Sequence, residues 1–326
     1  MPTISVCIPI YKSEKYIAQC AHSLLQQTLE DIEYIFINDC TPDKSINILE
    51  DIIGQYPKRK NQIQIIHHNT NKGIAAVRNT ALHHATAEYI IYCDSDDWVE
   101  NDMYEHLYNK ATQTKADIVW CKYDTTTDPI ILFSPSQDIT YTNIDYIKKI
   151  CLGQFHGATW NKLIKREVLI NNNIIFLEGN DMMEDESIIL RILCFANNIQ
   201  YVDKTLYHYI QHSNSITRQP KHLEIIANIT EAGKYICKLK RGHPEIMKYW
   251  YWYEQRNKLS MISSNGISLN TFRTTWPEST KVSLILSNPT LHLHNKIIYC
   301  SLCVGTTSLL SIKRWLSKAI KIKKGL

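Results

Sequence analysis

The stretch Tyr89-Ile-Ile-Tyr-Cys-Asp-Ser-Asp-Asp-Trp98 joins a short apolar run to three carboxylates within four residues. The apolar run predicts a buried β-strand, and Asp94, Asp96 and Asp97 follow it directly. Carboxylates this close repel one another and cost stability unless a cation or hydrogen-bond donors compensate. A divalent metal held by carboxylate oxygens and completed by substrate phosphates explains the cluster economically. The alternative is a solvated acidic turn that caps a helix near residue 101.

Outward from this stretch, towards the N-terminus, short apolar runs alternate with amphipathic segments. The predicted strands lie at 4–10, 32–37, 62–66 and 89–93. The predicted helices lie at 14–27, 43–56 and 74–86. Fully apolar strands that alternate with helices form a parallel sheet covered on both faces. Because ligands of such sheets bind beyond the carboxyl ends of the strands, we expect the functional residues after Ile10, Ile37 and Cys93.

Two further segments carry polar residues at such positions. After the second strand, Asp39 stands where a carboxylate can accept a hydrogen bond from a base N–H, whereas Asp43 is favoured as a helix cap. Ahead of the third helix, Gly73 permits a tight turn, and free N–H groups at a helix N-terminus attract phosphate. Arg78 follows one turn later and is placed to reach a diphosphate or the Asp94 cluster.

Composition and charge narrow the class of protein. The chain has 326 residues, 44% of them hydrophobic and 21% charged, which is ordinary for one large domain with a smaller appendage. A net charge of only +4 argues against nucleic acid as the main partner. The N-terminus lacks the basic stretch and apolar run of a secretory signal, so we expect a cytoplasmic protein.

The ten cysteines lie mostly in apolar runs. This placement indicates buried free thiols in a reducing compartment rather than a disulfide framework. One CxxC pair, Cys300 and Cys303, has His292 and His294 upstream. A zinc site there is the lesser alternative, because the pair lies in an apolar run without a second CxxC and buried cysteine is common.

After about residue 120, the alternation of apolar strands and amphipathic helices is less regular. We predict a domain at 1–218, with one half at 1–120 and the other at 121–218, followed by a mainly helical region at 219–326. In the second half of the domain we predict a long loop at 122–142 and two helices at 143–152 and 185–197. The boundary is expected around Pro220, where the polar segment ends.

The C-terminal segment combines an apolar run with basic residues. Residues 297–312 carry no charge, but this run is shorter than the ~20 residues that a spanning helix needs. The residues from Lys313 to Leu326 include six Lys or Arg and no acid. We expect an interfacial helix with a basic flank on anionic lipid, peripheral on the inner face of the cell membrane. The alternative is a helix packed on the core with a solvated basic tail.

Five segments, in their order and spacing, resemble the inverting glycosyltransferase family 2, whose fold is called GT-A. The matching segments are 5–11, 23–28, 37–43, 71–79 and 92–100. Together they cover residues 4 to about 120, and their combination is specific although each alone is not. The resemblance implies an α/β fold of the GT-A type, with a mostly parallel sheet flanked by helices and, in this chain, a helical C-terminal extension.

The resemblance assigns nucleotide binding to eight residues: Pro9, Tyr11, Asp39, Lys72, Gly73, Arg78, Asp94 and Ser95. In the family pattern, Pro9 and Tyr11 would line the nucleobase pocket and Asp39 would bind the base. Asp94 and Asp96 match the DxD motif, in which Asp96 would hold Mn²⁺ or Mg²⁺ at the diphosphate. The metal would act as a Lewis acid that neutralises the departing nucleoside diphosphate.

A second region of likeness, at 157–164 with the later Glu-Asp pair, is similar to the acceptor half of the family. It implies that Asp185 is the general base for the acceptor hydroxyl, with Glu184 as the second candidate. Trp160 and Asn161 would contact the acceptor. The alternative is that the acidic pair only stabilises the start of a helix, because acids are favoured in the first turn of a helix.

Several features depart from the family pattern. Residues 40–42 read Cys-Thr-Pro where Gly-Ser-Thr is frequent, and Ile210 stands where an arginine is frequent. Arg218 is our candidate for the missing cation. His208 is a candidate metal ligand, with a packed, hydrogen-bonded histidine as the alternative. The C-terminal third matches no motif that we can name.

The resemblance implies a single in-line displacement with inversion at the anomeric carbon. The donor would be a nucleoside-diphosphate sugar, preferably a UDP-sugar, and the acceptor a glycan or lipid-linked molecule in surface polysaccharide or glycolipid synthesis. One alternative is a non-catalytic nucleotide-sugar-binding scaffold, which would be free to lose Asp39, Asp96 or Asp185, yet all three are present. The other is a nucleotidyltransferase, which usually has a glycine-rich loop where residues 9–14 contain no glycine.

Overall fold

The computed structural model describes residues 2–125, 141–211, 221–264 and 266–311. These residues contain one sheet of eight strands. The strands are β1 (Ile4–Ile10), β2 (Ile32–Asn38), β3 (Ile63–His67), β4 (Tyr89–Tyr92), β5 (Trp98–Val99), β6 (Ile118–Thr125), β7 (Lys162–Lys165) and β8 (Ile199–Tyr209). Their order across the sheet is β3-β2-β1-β4-β7-β6-β8-β5.

The first four strands form the parallel part of the sheet. Strand β1 pairs in parallel with β2 and β4, and β2 pairs in parallel with β3. Strand β7 is antiparallel to both β4 and β6, β8 is parallel to β6, and β5 is antiparallel to β8. The predicted α/β fold with a mostly parallel sheet is confirmed. Since β1, β2 and β4 share one direction, their carboxyl ends meet at one edge, where ligands of such sheets bind.

The described residues also contain twelve α-helices. They are α1 (Ile17–Leu25), α2 (Ser45–Ile53), α3 (Ile74–His84), α4 (Met103–Thr114), α5 (Asn143–Cys151), α6 (Arg166–Asn171), α7 (Glu184–Leu193), α8 (His222–Leu239), α9 (Ile246–Ser263), α10 (Leu269–Thr274), α11 (Val282–Ser287) and α12 (Leu293–Cys303). The helix predicted from residue 14 begins only at Ile17, and the hydroxyl of Ser13, just before it, lies 2.6 Å from that of Ser95.

Alternate residues of β1 serve two hydrophobic cores. Cys7 lies in a core built with α3, α5 and α7, whereas Val6 and Ile8 lie in a core built with α1, α2 and α4. Successive side chains of a strand point to opposite faces of the sheet. Helices on both faces therefore bury every residue of β1, which explains why all of its residues except Ser5 are apolar.

The C-terminal helices share the first of these cores. Trp250 and Tyr253 of α9 and Tyr299 of α12 pack in the same cluster as α3 and α7. The helical character predicted beyond residue 218 is confirmed, and the division at 218/219 stays a prediction. Across the described ranges, no helix combines the length and apolarity required to cross a membrane.

Two predictions for the second half need correction. Strand β6 continues to Thr125, so the loop predicted from residue 122 does not begin there. The apolar run at 297–312 is not one interfacial helix, because α12 ends at Cys303 and buries Ile298 and Tyr299 in the core. Four other features lie outside the described residues: Arg218, Pro220, the remainder of the loop at 126–140 and the basic tail beyond residue 311.

Candidate active site

Arg78 lies at the centre of the carboxyl edge of the sheet. Its side chain, on α3, is buried, with 2% of the residue exposed. One terminal nitrogen, Nη2, lies 3.1 Å from Asp94 Oδ1, at the end of β4. The other, Nη1, lies 2.7 Å from Glu184 Oε1 and also contacts Asp185 Oδ1, both in the first turn of α7. One guanidinium thus joins the acidic motif after β4 to the Glu-Asp pair of the second half.

Burial and charge oppose each other in this cluster. Burial raises the pKa of Glu184, and the neighbouring Asp185 carboxylate adds to the rise, whereas Arg78 lowers it. Burial also raises the pKa of Asp185, with Arg78 again acting in the opposite direction. Burial alone would lower the pKa of Arg78, but the three carboxylates outweigh it and the net shift is upward. The arginine therefore stays charged and offsets the effect of burial only in part, because the net pKa of Glu184 still rises to about 8 and that of Asp185 is also raised.

The residues of the acidic motif have different environments. Asp97 is 1% exposed and accepts hydrogen bonds from Tyr207 Oη (2.5 Å) and from the backbone N–H of Ile210 (2.8 Å). Burial, followed by the charges of the neighbouring acids, raises the pKa of Asp97. Ser95 is buried against the Ser13 hydroxyl at 2.6 Å. Asp97 therefore links β8 to the acidic motif by hydrogen bonds. The pattern of acidic residues in the sequence does not predict this structural role.

Asp94 and Asp96 are the members of the motif that reach the edge. A quarter of the Asp94 side chain is exposed, and Asp96 is partly exposed. The Asp94 backbone N–H donates to Tyr207 Oη at 3.3 Å, which holds the motif against β8. In the part of the chain that the structure describes, no group of three or more His, Cys, Asp or Glu side chains is arranged to hold a metal. This finding gives no support to zinc at Cys300 and Cys303.

Asp39 fastens the loop before α3. The residue is 3% exposed, and its carboxylate accepts hydrogen bonds from the backbone N–H groups of Lys72 and Gly73, each at 2.9 Å. The ring of His68 lies against it, with Nδ1 2.7 Å from Oδ1. Asp39 thus holds the start of α3 against the end of β2. Its predicted contact with a base stays a prediction.

Two N–H groups at the N-terminus of α3 donate to carboxylates of the chain itself. Gly73, at φ +86°, donates to Asp39, and Ala75 N donates to Asp181 Oδ1 at 3.1 Å. A Cβ at Gly73 would lie 2.2 Å from the Asp181 carboxylate, so only glycine fits there. Carboxylates of the chain itself occupy this positive helix end. The prediction that these N–H groups bind phosphate is therefore not supported, while the Lys72 side chain remains exposed.

The two residues predicted to line a nucleobase pocket differ in exposure. Pro9 is buried inside β1, opposite Ile37 of β2. Tyr11 follows the end of the strand and is 43% exposed. Of the two, Tyr11 presents a side chain at the carboxyl edge, and Pro9 supports the strand below it.

Asn161 has partners inside the protein at both ends of its side-chain amide. It is 1% exposed, its Nδ2 donates to the carbonyl of Cys121 at 2.7 Å, and its Oδ1 accepts from Lys162 Nζ at 2.8 Å. These contacts with β6 and β7 do not support the prediction that Asn161 touches the acceptor, which stays a prediction. Lys162 is also buried, over the Trp120 ring, and burial lowers its pKa to about 7.

Trp160 forms part of an aromatic wall. Its ring stacks on Tyr207, with centroids 4.3 Å apart, and on His156 at 5.1 Å, and the edge of Tyr123 packs against it. Only 7% of Trp160 is exposed. Contact between Trp160 and an acceptor stays a prediction. Such contact requires that the exposed edge of the indole ring faces the acceptor.

His208 is held by two carboxylates. Its Nδ1 lies 2.6 Å from Asp124 Oδ1, its Nε2 lies 3.0 Å from Glu100 Oε1, and its ring stacks on Trp98 at 3.6 Å. Both ring nitrogens are therefore engaged, and a metal ligand must offer one of them. The structure does not support His208 as a metal ligand and favours the alternative of a packed, hydrogen-bonded histidine.

The segment before β7 positions Asp185. Thr159 Oγ1 donates to Asp185 Oδ1 at 3.0 Å. Two residues earlier, a Cβ at Gly157 would lie 2.6 Å from the Glu186 backbone. Glycine is thus required for the close approach between this segment and the first turn of α7. Glu186 itself accepts a hydrogen bond from Tyr253 Oη of α9, at 2.5 Å.

The C-terminal region also holds the loop before α7. Asn228 of α8 is fully buried, and its Nδ2 donates to the carbonyls of Asn180 and Met182 at 2.8 and 2.9 Å. From the same helix, Glu224 accepts from the Asp181 backbone N–H at 2.9 Å. Helix α8 therefore fixes the loop that leads into the Glu-Asp pair, a role that no local sequence pattern indicated.

We expect Asn228→Ala to lower the free energy of unfolding by about 2 kcal/mol, because two carbonyls lose their donor inside the protein. Urea unfolding of the variant and the wild type measures the difference. Asn257→Ala is the matched control, since it removes a single hydrogen bond to the carbonyl of Tyr253 within the same helix. Equal losses in the two variants would show that Asn228 does not hold the loop.

Comparison with known proteins finds a matching family and similar relatives over a large part of the chain. Residues 5–172, just over half of the chain, match the family described as Glycosyl transferase family 2. EpsJ of Bacillus subtilis (strain 168), described as an uncharacterized glycosyltransferase, is 34% identical over 226 residues, which cover 68% of this chain and 64% of EpsJ. The chain thus spans less than two thirds of the length of that relative.

Two solved structures are similar in fold. TarS 1–349 of S. aureus, in complex with UDP-GlcNAc, has a TM-score of 0.71 at 18% identity, with 99% of this chain and 92% of that chain covered. The mannosyltransferase PcManGT of Pyrobaculum calidifontis, in complex with GDP-Man and Mn²⁺, has a TM-score of 0.55 at 14% identity, with 97% and 88% covered. Both likenesses concern the fold of the whole described chain.

Proposed function

Because the chain belongs to glycosyltransferase family 2, we propose that it transfers a sugar from a nucleoside-diphosphate donor to a glycan or lipid-linked acceptor. The donor is a UDP-sugar, the anomeric configuration inverts, and the product enters surface polysaccharide or glycolipid synthesis at the inner face of the cell membrane. One observation carries the proposal: the Arg78 guanidinium holds Asp94 of the donor motif beside Glu184 and Asp185 of the acceptor half. UDP-GlcNAc in the similarly folded TarS supports the choice of nucleotide.

Asp185 is the general base of the proposed reaction. The hydrogen bond from Thr159 Oγ1 and the ion pair with Arg78 Nη1 both use Oδ1 of Asp185, so we assign Oδ2 as the atom that takes the proton of the acceptor hydroxyl. A fifth of the side chain is exposed, which gives a substrate access. The oxygen of the acceptor then attacks the anomeric carbon in line with the departing diphosphate. A product with the anomeric configuration of the donor would contradict this mechanism.

The residues of the acidic motif fit a divalent cation that is completed by substrate. Asp94 and Asp96 offer carboxylate oxygens at the edge, and Mg²⁺ usually takes one or two carboxylates together with phosphate oxygens of the substrate. We propose that Asp96 holds Mn²⁺ or Mg²⁺ with Asp94 next to it on the nucleotide side, and the complex of PcManGT with GDP-Man and Mn²⁺ supports this choice. The cation would neutralise charge on the departing diphosphate.

Thermal unfolding with nucleoside diphosphates, with and without Mn²⁺, tests the donor site. UDP with Mn²⁺ is expected to stabilise the wild type by about 2.7 kcal/mol at ~100 times its dissociation constant, and Asp96→Ala is expected to abolish the metal-dependent part. Asp51→Ala, at an exposed position of α2, is the control. The absence of stabilisation by every nucleotide would contradict the donor proposal. If Asp96→Ala kept the metal-dependent stabilisation, Asp96 would not be a ligand of the metal.

A further inference from the structure

Helices α11 and α12 expose apolar side chains that no described residue covers. On α11, Val282 and Leu286 are 56% and 57% exposed. On α12 and directly after it, Leu293, Ile297 and Val304 are 72%, 53% and 76% exposed. Residues at spacings of four and seven share one side of a helix. Each helix therefore presents an apolar face to the outside.

The opposite side of α12 anchors the helix in the protein. Ile298, Tyr299 and Leu302 are at most 6% exposed and belong to the core. Lys296 Nζ donates to the carbonyl of Leu286 at 2.6 Å and so ties α12 to α11. The exposed side chains thus lie on a fixed part of the fold, because core packing determines which side of α12 faces outwards. We call Val282, Leu286, Leu293, Ile297 and Val304 the α11–α12 face.

The sequence that forms and follows these two helices is basic. Glu278 is the last acidic residue of the sequence, and it forms an ion pair with Lys281. From residue 279 to the end, the sequence has eight Lys or Arg and no acid, and two of them, Lys281 and Lys296, lie within the described residues. Arg273 adds a further cation, since its Nη1 lies 3.7 Å from the Cβ position of Gly305, just beyond α12.

We propose that the α11–α12 face docks peripherally on an anionic lipid bilayer. Apolar side chains of an interfacial helix enter the boundary between headgroups and acyl chains, and neighbouring Lys and Arg are attracted by anionic headgroups. A second copy of this chain fits the face less well, because two basic surroundings would repel each other. The proposal rests on this surface alone and is independent of sugar transfer.

Vesicle sedimentation of the full chain tests the proposal. We expect the chain to pellet with vesicles of phosphatidylcholine and phosphatidylglycerol in equal parts, and to remain in the supernatant with phosphatidylcholine alone. Leu293→Ser combined with Ile297→Ser is expected to lower the bound fraction about tenfold, because apolar burial and charge attraction add. The control combines Ile170→Ser with Ile175→Ser, two isoleucines that are 49% and 57% exposed elsewhere, and is expected to bind like the wild type.

Any of four results would overturn the proposal. The first is wild-type chain that stays in the supernatant with anionic vesicles, and the second is equal binding of the Leu293 and Ile297 double variant and the wild type. The third is a deletion from residue 312 onwards that abolishes binding while the double variant binds normally, which would assign binding to the tail alone. The fourth is a dimer that the double variant abolishes without any vesicle binding, which would assign the face to a second copy.

Discussion

Replacement of Asp185 by asparagine is expected to lower kcat by about 10³-fold and to leave donor binding intact. An asparagine has the shape of the aspartate and keeps an oxygen that accepts from Thr159 Oγ1, but it cannot take the acceptor proton. The measurement is the rate of nucleoside-diphosphate release in the presence of acceptor, with the donor nucleotide identified by thermal unfolding. Stabilisation by that nucleotide, unchanged in the variant, would separate the loss of the base from a loss of the site.

The pH profile of the wild type gives an independent readout of the same group. Burial raises the pKa of Asp185, and although Arg78 and Thr159 counteract this rise, the net shift is upward. A general base acts only when it is unprotonated. We therefore expect kcat/KM to fall as the pH decreases through the raised pKa, with the acid limb above the ordinary range of an aspartate.

Asp51→Asn is the control for this experiment, because it makes the same chemical change at an exposed position of α2. If Asp185→Asn kept a kcat close to that of the wild type, Asp185 would not be the base. Glu184 contacts the same nitrogen of Arg78 at 2.7 Å, so Glu184→Gln would then be expected to show the loss.

The strands and the acidic motif were predictable because their signals are local. A strand buried on both faces is mostly apolar, and this pattern located β1, β2 and β4 nearly to the residue, although Ser5 and Glu33 are polar and buried. The rule that ligands bind at the carboxyl ends of parallel strands then located Asp94 and Asp96. Arg78 was also predicted to reach the Asp94 cluster, and it does so at 3.1 Å.

The predictions that the structure does not support, and the roles that the sequence missed, concern residues whose partners are distant in sequence. Asn161 and Lys162 lie in a motif that suggested substrate contact, but β6 buries both. Asn228 carried no signal at all, because its partners are the carbonyls of a loop more than forty residues earlier. A pattern of residue types does not distinguish a polar group that meets substrate from one that satisfies buried backbone. Only the tertiary packing decides between them.

The N-terminus of α3 shows the same ambiguity in electrostatic form. A helix N-terminus after a glycine attracts any anion. The sequence suggested a phosphate, whereas in the structure Asp39 and Asp181 take that place. These hydrogen bonds attach the end of β2 and the loop before α7 to α3, the helix that carries Arg78. The helix thereby fixes the distance between the donor motif and the proposed base.

Replacement of Arg78 by methionine is expected to lower the free energy of unfolding by about 3–5 kcal/mol, because removal of one partner leaves buried charges uncompensated. Three carboxylates, those of Asp94, Glu184 and Asp185, would lose their common cation. Urea unfolding measures the loss. Lys165→Met is the matched control, because Lys165 pairs with Glu167 at the surface and such exposed pairs contribute ~0–1 kcal/mol.

The pH dependence of this loss identifies its cause. Arg78 lowers the pKa of both Glu184 and Asp185, so their pKa values rise further in the variant. A group whose pKa is raised in the folded state stabilises that state at low pH and loses this contribution as the pH increases through the folded pKa. The gap between variant and wild type is therefore expected to narrow from neutral to mildly acidic pH, as protonated carboxyls no longer need the cation. A gap that stayed constant would instead attribute the loss to packing of the arginine side chain between Tyr92 and Phe176.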